Sequence, residues 1–238
     1  CFLFLSNNKD EIIKNALPID NIYMHYFKQF ARDNNVLLLL GSLATRNDDK
    51  IYNCSFLVND EGVVISSYNK IHMFDVKLKN GENYNESETF NTGEDISLVK
   101  LKEQILGHSI CYDLRFPKLY RVLAKNGANI IVAPSAFTLS TGKKHWHTLV
   151  RARAIENGVF MIAPNQWGTN RNNRSTYGHS LVVDPWGDVI ADGLQGEKII
   201  FCEINLKNCH EAQTSIPTLN HDENFEEKID KKFNIIIN

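Results

Sequence analysis

The organisation of the chain follows from residues 106–119, which read LGHSICYDLRFPKL. The apolar residues before Cys111 predict a strand that ends at this cysteine. Pro117 predicts the opening of a helix, because proline lacks an N–H that the first helical position leaves unpaired. Cys111 would then stand at a strand-to-helix turn, where unpaired N–H groups and the helix dipole favour a thiolate. This makes Cys111 a candidate nucleophile, although a free cysteine is also common in a protein core.

The composition is typical of a globular protein of moderate size. The 238 residues are 43% hydrophobic and 23% charged, with a formal net charge of -2. This charge does not favour a nucleic-acid or anionic-membrane partner, and no apolar run approaches the roughly 20 residues of a membrane span. The five cysteines form neither a CxxC pair nor a metal-ligand pattern. We therefore expect a reducing, cytoplasmic compartment, no metal and no cofactor.

Hydrophobic periodicity predicts paired strands mixed with single helices, which is typical of one α/β domain. Helices are predicted over residues 19–34, 116–126 and 143–157. Strands are predicted over residues 36–41, 51–58, 63–68, 96–101, 104–111, 129–134, 159–164, 177–184, 188–192 and 198–204. The wholly apolar strands favour sheets that are covered on both faces.

Two segments are predicted to be irregular. Residues 69–93 form a long loop, which in a compact domain is usually functional. Residues from 208 onward are polar and without clear periodicity. We assign residues 1–220 to the domain and residues 221–238 to a C-terminal tail.

The long loop carries charged side chains that are candidates for chemistry. Lys70 follows a predicted strand end, and three glutamates, Glu82, Glu86 and Glu88, come later in the same loop. Each of these residues taken alone is typical of a solvated loop.

The histidines suggest no site by their spacing. His72 and His108 invite a Cys–His dyad, but His108 lies three residues before Cys111 on the predicted strand and so points to the opposite face. His145 and His147 are two residues apart on a predicted helix and do not share a face, which argues against a metal pair.

Five ordered blocks of the sequence carry a resemblance to a known family. They read YNKIHMFDV (68–76), NESETFNTG (85–93), CYDLRFPKLYRVLAKNGANIIVAPSAF (111–137), HWHTLVRARAIEN (145–157) and YGHSLVVDPWGDVIA (177–191). Together they resemble the carbon–nitrogen hydrolase, or nitrilase, superfamily over about residues 1–220. Within it the chain is most similar to the small amidases that resemble omega-amidase and deaminated-glutathione amidase.

The resemblance implies a four-layer αββα sandwich that carries a Glu–Lys–Cys triad. Cys111 matches the nucleophile, Lys70 the catalytic lysine, and Glu86 the glutamate that orients the site. The N–H of Tyr112 and the ammonium of Lys70 would stabilise the charge that develops on the substrate oxygen. Arg115, close to the nucleophile, is a candidate partner for a substrate carboxylate or a structural residue.

The family pattern also implies that a part of it precedes this sequence. Residues 1–2 match the positions directly after the proline–glutamate motif that holds the family's general base, and Glu11 stands in a different context. We therefore expect a truncated start that lacks the family's first strand–helix–strand. Without that base, the isolated chain is expected to be nearly inactive.

The expected function is thiol-dependent hydrolysis of a non-peptide C–N bond in a small carboxylate-bearing amide, releasing ammonia through a cysteine thioester. Two alternatives remain open: a nitrile or N-carbamoyl hydrolase of the same superfamily, and a degenerate, non-catalytic remnant. Pocket loops around residues 137–144 and 165–176 would discriminate between the substrates.

A homodimer is also expected. The predicted helices at residues 116–126 and 143–157 correspond to the family's dimer face. Trp146, Arg151 and Arg153 suit such an interface, although they can also pack within one protomer.

Overall fold

The computed structural model describes residues 4–6, 8–79, 81–169 and 174–223. The apolar start at residues 1–3 and most of the predicted tail, residues 224–238, lie outside the described residues. No helix within the described ranges is both long and apolar enough to cross a membrane.

The helices of the described chain are α1 (Lys9–Asn15), α2 (Ile22–Asn34), α3 (Pro117–Lys125), α4 (Leu139–Asn157) and α5 (Lys207–Ser215). The strands are β1 (Leu17–Pro18), β2 (Leu38–Asn47), β3 (Lys50–Val58), β4 (Val64–Asn69), β5 (Asp75–Lys77), β6 (Asn83–Asn85), β7 (Leu98–Leu101), β8 (Gln104–His108), β9 (Ile130–Val132), β10 (Phe160–Ala163), β11 (Trp167–Thr169), β12 (Ser175–Tyr177), β13 (Leu181–Val183) and β14 (Val189–Asp192).

Two larger sheets form the centre of the fold. The first has the strand order β1-β2-β3-β4, and the second has the order β14-β13-β10-β9-β8-β7. Strands β8, β9 and β10 run parallel to one another, and β7, β13 and β14 extend the second sheet by antiparallel pairing. The hairpins β5–β6 and β11–β12 form two small separate sheets.

Alternation along the strands places a different layer on each face of each sheet. On β3, Phe56 packs with Met24 of α2, whereas the next residue, Leu57, packs with Ile130 of β9. On β9, Ile131 instead faces the cluster that α3 and α4 share with the second sheet. The order is therefore helix, sheet, sheet, helix, which confirms the predicted αββα sandwich.

Local signals placed several elements correctly. Asn21 caps α2, because its side chain accepts hydrogen bonds from the N–H groups of Tyr23 and Met24. Helix α4 ends at Gly158, which adopts the left-handed conformation with φ 61°. It begins four residues earlier than predicted, because the Thr138 hydroxyl accepts a hydrogen bond from the Thr141 N–H.

The predictions for the C-terminal part were wrong in two places. Residues 198–204 form no strand, and Ile199 and Phe201 are 80% and 88% exposed. A periodic apolar pattern makes a strand only where a partner edge is available, and the described chain offers none here. The segment predicted to be irregular from residue 208 instead contains α5, which buries Cys209 and Ala212.

Two of the three side chains expected at a dimer interface are buried within the protomer. Trp146 is fully buried and lies against Phe137. Arg151 donates to the Gly187 carbonyl at 2.7 Å, and Arg153 donates to the Leu114 carbonyl at 3.0 Å. The interface argument was therefore wrong for Trp146 and Arg153, whereas Arg151 is exposed and its place at an interface stays a prediction.

His108 joins the two sheets through a buried polar network. Its Nδ1 lies 3.0 Å from the Ser55 hydroxyl of β3, and its Nε2 lies 3.2 Å from the Ser66 hydroxyl of β4. Burial lowers the pKa of His108 to about 4. The His108 side chain thus lies between the two sheets, where both of its ring nitrogens have hydrogen-bond partners.

The buried imidazole should make the free energy of unfolding depend on pH. The unfolded chain takes up the His108 proton near its ordinary pKa of 6.5, whereas the folded protein takes it up only near 4. Stability should therefore fall, by about 3 kcal/mol, as the pH decreases through this interval. Urea unfolding at several pH values should show this slope in the wild type and its loss in His108→Gln.

The exposed His210 provides the matched control. His210→Gln should keep the wild-type slope. Equal slopes in the wild type and His108→Gln would contradict the assignment to His108.

Candidate active site

All five of the predicted site residues line one cavity of about 380 Å³. Lys70 directly follows β4, and Glu86 opens the short 3-10 turn Glu86–Glu88 after β6. Cys111, Tyr112 and Arg115 belong to a second 3-10 turn, Cys111–Arg115, beyond β8. The cavity therefore draws its polar side chains from the ends of both large sheets.

Cys111 occupies a constrained backbone position. Its φ is 50°, in the left-handed region that a residue with a side chain seldom adopts. The Cys111 N–H donates to the Pro134 carbonyl at 3.1 Å, which fixes the turn to the end of β9. Helix α3 does begin at Pro117, but the 3-10 turn separates it from Cys111. The expected direct junction between strand and helix is therefore replaced by a tight turn, a place where strain often marks function.

Lys70 and Glu86 form a buried ion pair beside the cysteine. The Lys70 side chain is 2% exposed, and its Nζ donates to Glu86 Oε2. The Glu86 carboxylate also accepts from Asn53 Nδ2 at 3.0 Å and from the Phe74 N–H at 2.7 Å. The turn after β6 thus holds Glu86 between β3 and the start of β5, whereas Glu88 on the same turn is exposed.

The electrostatics keep both members of this pair charged. Burial alone would lower the pKa of Lys70, but the negative charge of Glu86 and its hydrogen bond to Lys70 outweigh it and raise that pKa. Burial would raise the pKa of Glu86, but Lys70 and the hydrogen bonds from Asn53 and Phe74 outweigh it and lower that pKa. Lys70 is therefore an ammonium, and Glu86 is its fixed counter-ion.

Sequence reasoning missed Asp113, which joins the cysteine turn to the lysine loop. Its carboxylate is fully buried and accepts from the Tyr68 hydroxyl and the Ile110 N–H, each at 2.8 Å. It also accepts from the His72 N–H at 3.0 Å and lies 2.7 Å from His72 Nδ1. The His72 ring stacks on Phe116, so His72 serves Asp113 and forms no dyad with Cys111. The one available signal was an acid two residues after the cysteine, placed to cap the turn.

Two guanidinium groups lie on the cavity wall. The Arg115 group is 5.4 Å from the centroid of the Phe137 ring and donates to His145 Nδ1 at 3.3 Å. Arg174, which the sequence reasoning did not single out, lies 5.1 Å from the centroid of the Tyr84 ring. In the described part of the chain, Glu86 is the one acidic side chain on this wall. The lining thus combines the Lys70–Glu86 ion pair with the guanidinium groups of Arg115 and Arg174.

The Tyr112 N–H belongs to the first turn after the cysteine. Among the described residues it has no backbone acceptor, unlike the N–H groups of Cys111 and Asp113 on either side. It is therefore available to a ligand beside the cysteine. The lining of the cavity, so far as the chain is described, contains no cluster of metal-ligating side chains.

Comparison with known proteins identifies the family of the chain. The family model described as Carbon-nitrogen hydrolase matches residues 1–214. The chain belongs to the carbon–nitrogen hydrolase family. It is similar over 231 residues to the deaminated glutathione amidase of Dictyostelium discoideum, with 38% identity covering 93% of this chain and 79% of that protein.

Two further relatives bear on the length and the fold. The nitrilase and fragile histidine triad fusion protein NitFhit of Caenorhabditis elegans is 40% identical over 225 residues, covering 93% of this carbon–nitrogen hydrolase. The chain spans about half, 51%, of the length of that fusion protein. The structure of Saccharomyces cerevisiae Nit3, a member of branch 10 of the nitrilase superfamily, superposes with a TM-score of 0.79 at 31% identity, covering 88% of this chain and 76% of Nit3.

Removing the Glu86 charge should destabilise the fold. Glu86→Gln leaves the Lys70 ammonium buried without a counter-ion, which typically costs about 3–5 kcal/mol. Urea unfolding at pH 7 measures the loss. Glu88→Gln, on the exposed side of the same turn, should stay within about 0.5 kcal/mol of the wild type. Equal losses in the two variants would show that the ion pair does not stabilise this region.

Proposed function

We propose that this carbon–nitrogen hydrolase cleaves a non-peptide C–N bond in a small carboxylate-bearing amide, with Cys111 as the nucleophile. The observation that carries the proposal is the convergence of Cys111 and the Lys70–Glu86 ion pair on one cavity. A cysteine on a constrained turn, facing a buried ammonium, is arranged for attack on a polarised carbonyl.

The chemistry divides into two half-reactions. In the first, Cys111 Sγ bonds to the amide carbon, the C–N bond breaks, and the thiol proton leaves with the nitrogen, as ammonia from a primary amide or as an amine from a substituted amide. The Lys70 ammonium and the Tyr112 N–H stabilise the negative charge on the carbonyl oxygen. In the second, water hydrolyses the thioester, which yields the carboxylic acid and restores the thiol. Glu86 stays charged throughout and acts by holding Lys70 in place.

The cavity wall supports an anionic substrate. Arg115 and Arg174 line the same cavity as Cys111, and a guanidinium binds a carboxylate through paired hydrogen bonds. The relative in Dictyostelium discoideum is named for an amide of this kind. We therefore infer that the substrate carries at least one carboxylate besides the amide, as a deaminated glutathione does.

Release of ammonia, or of the amine fragment from a substituted amide, across a panel of compounds tests the reaction and its substrate. The panel contains a deaminated tripeptide amide, an oxoacid amide, a nitrile and an N-carbamoyl amino acid, and the enzyme is the full gene product. Cys111→Ala should lower turnover at least about 10³-fold. Cys202→Ala, at an exposed cysteine, should leave it unchanged. Turnover that survives in Cys111→Ala excludes the proposed nucleophile, and preference for the nitrile or the N-carbamoyl compound excludes the amidase assignment.

Arg115 is tested in the same assay. Arg115→Gln should raise the KM for the carboxylate-bearing amide by about 10-fold or more, because a charged hydrogen bond is lost. The KM for a neutral amide of similar size should change little. An equal effect on both amides would make Arg115 a structural residue.

We further propose that two copies of the chain associate. Ile199 and Phe201 project large apolar side chains into solvent from a segment with strand-like periodicity, and Ile155 on α4 is half exposed. Apolar groups displayed in this way are typical of a protein interface. Pairing of the segment in a dimer would supply the partner edge that one protomer lacks.

Sedimentation velocity tests the association. Phe201→Lys should shift a dimer toward monomer, because it places a charge in the apolar contact. Ile22→Lys provides the control, since Ile22 is 78% exposed on α2, in the opposite outer layer. A monomeric wild type, or a dimer that is insensitive to Phe201→Lys, would contradict the proposed interface.

A further inference from the structure

Three side chains with metal-ligating atoms meet outside the catalytic cavity. His147 lies on α4, His179 precedes β13, and Asp192 ends β14. The Nδ1 of His179 lies 3.1 Å from each Asp192 carboxylate oxygen, and the Nε2 of His147 lies 3.2 Å from Asp192 Oδ2. One such atom from each of the three residues falls within 4.8 Å of the others.

We propose that His147, His179 and Asp192 form a binding site for one divalent transition-metal ion of the Zn²⁺ type. Two imidazoles and a carboxylate are donors that such ions prefer over those of Ca²⁺ or Mg²⁺. Ligands about 2.1 Å from a zinc ion lie about 3.0–3.4 Å apart at adjacent coordination positions. The nitrogen–oxygen distances of 3.1 and 3.2 Å already match this separation.

The ligand residues are held by contacts behind them. His179 adopts a φ of 56°, and its N–H donates to the Leu194 carbonyl at 2.7 Å while its carbonyl accepts from Trp146 Nε1 at 2.6 Å. Asp192 Oδ1 accepts from the Leu194 N–H at 2.7 Å. Contacts of this kind orient the ligands of metal sites and are a large part of their affinity.

The surroundings suit an ion that keeps part of its hydration shell. The side chains of His147, His179 and Asp192 are 35%, 17% and 23% exposed, so water can complete the coordination. Binding needs each imidazole to present a lone pair, which places its proton on the other ring nitrogen. The His147–Asp192 and His179–Asp192 hydrogen bonds would be replaced by bonds to the ion.

The site would act on the cavity through its wall. Gly178 and Ser180 flank His179 in the chain. The Gly178 carbonyl accepts from Asn165 Nδ2 at 2.6 Å, and the Ser180 hydroxyl accepts from the Asn165 N–H at 3.0 Å. Asn165 lines the catalytic cavity. An ion at His179 would therefore fix α4 to this wall without entering the reaction.

Zn²⁺ titration by calorimetry on the tag-free full chain tests the site. The titration uses a Cys111→Ala, Cys202→Ala background, because a reactive or exposed thiol also binds Zn²⁺. We expect one saturable site per chain and a higher melting temperature with Zn²⁺ than with EDTA. His147→Gln and Asp192→Asn should each weaken binding more than about 10-fold. His179→Asn should do the same, since asparagine tolerates the left-handed backbone.

The control is His210→Gln, which removes an exposed histidine from α5 and should leave the affinity unchanged. If a variant at His179 or Asp192 does not fold, the Zn²⁺ affinity of His147→Gln, on the surface of α4, is compared with that of the control. Absence of a saturable site, or an affinity that His147→Gln leaves unchanged, would show that the cluster is a hydrogen-bonded network and not a metal site.

Discussion

A buried positive charge determines how the active-site region is built. Lys70 is almost wholly removed from solvent at the end of β4, and an ammonium in such a place requires a counter-ion. The chain between β4 and β7 supplies it by folding back through a short hairpin and presenting Glu86. Breaking such a pair is costly, yet an apolar replacement of both partners is often as stable. The pair is therefore better explained by the charge that it places beside Cys111 than by stability.

The second constraint is that the two halves of the site come from different sheets. Lys70 follows a strand of the first sheet, whereas Cys111 follows a strand of the second. The Asp113 carboxylate connects them, because it holds the Cys111 turn through Ile110 and the lysine loop through Tyr68 and His72. The distance between the lysine and the cysteine thus depends on a buried group that does not line the cavity.

The sequence was informative where a local rule determines the structure. The cap at Asn21, the stop at Gly158 and the proline at the start of α3 are all decided within a few residues. The resemblance over five ordered blocks selected Glu86 from the three glutamates of one loop. Composition alone does not distinguish Glu86 from the other two.

Prediction failed where a partner distant in the chain decides the outcome. Residues 198–204 have the pattern of a strand but no edge to pair with in the described chain. Trp146 was expected at a dimer interface, yet it packs against Phe137 and its Nε1–H donates to the His179 carbonyl within the protomer. Asp113 looks like one acid among many until the donors from residues 68–72, distant in the chain, are in place.

Contacts between distant parts of the chain also explain the cluster of His147, His179 and Asp192, which the sequence did not predict. Spacing rules detect metal ligands that share a helix face or a short loop, and they correctly separate His145 from His147. These three residues come from a helix, a loop and a strand end, so no local pattern relates them. They meet because β13 and β14 run antiparallel under α4, which brings residues 13 apart in the chain, 179 and 192, to the same end of the hairpin. Since that end also buttresses Asn165 on the cavity wall, an ion bound there would change the rigidity of the pocket and leave its chemistry to Cys111.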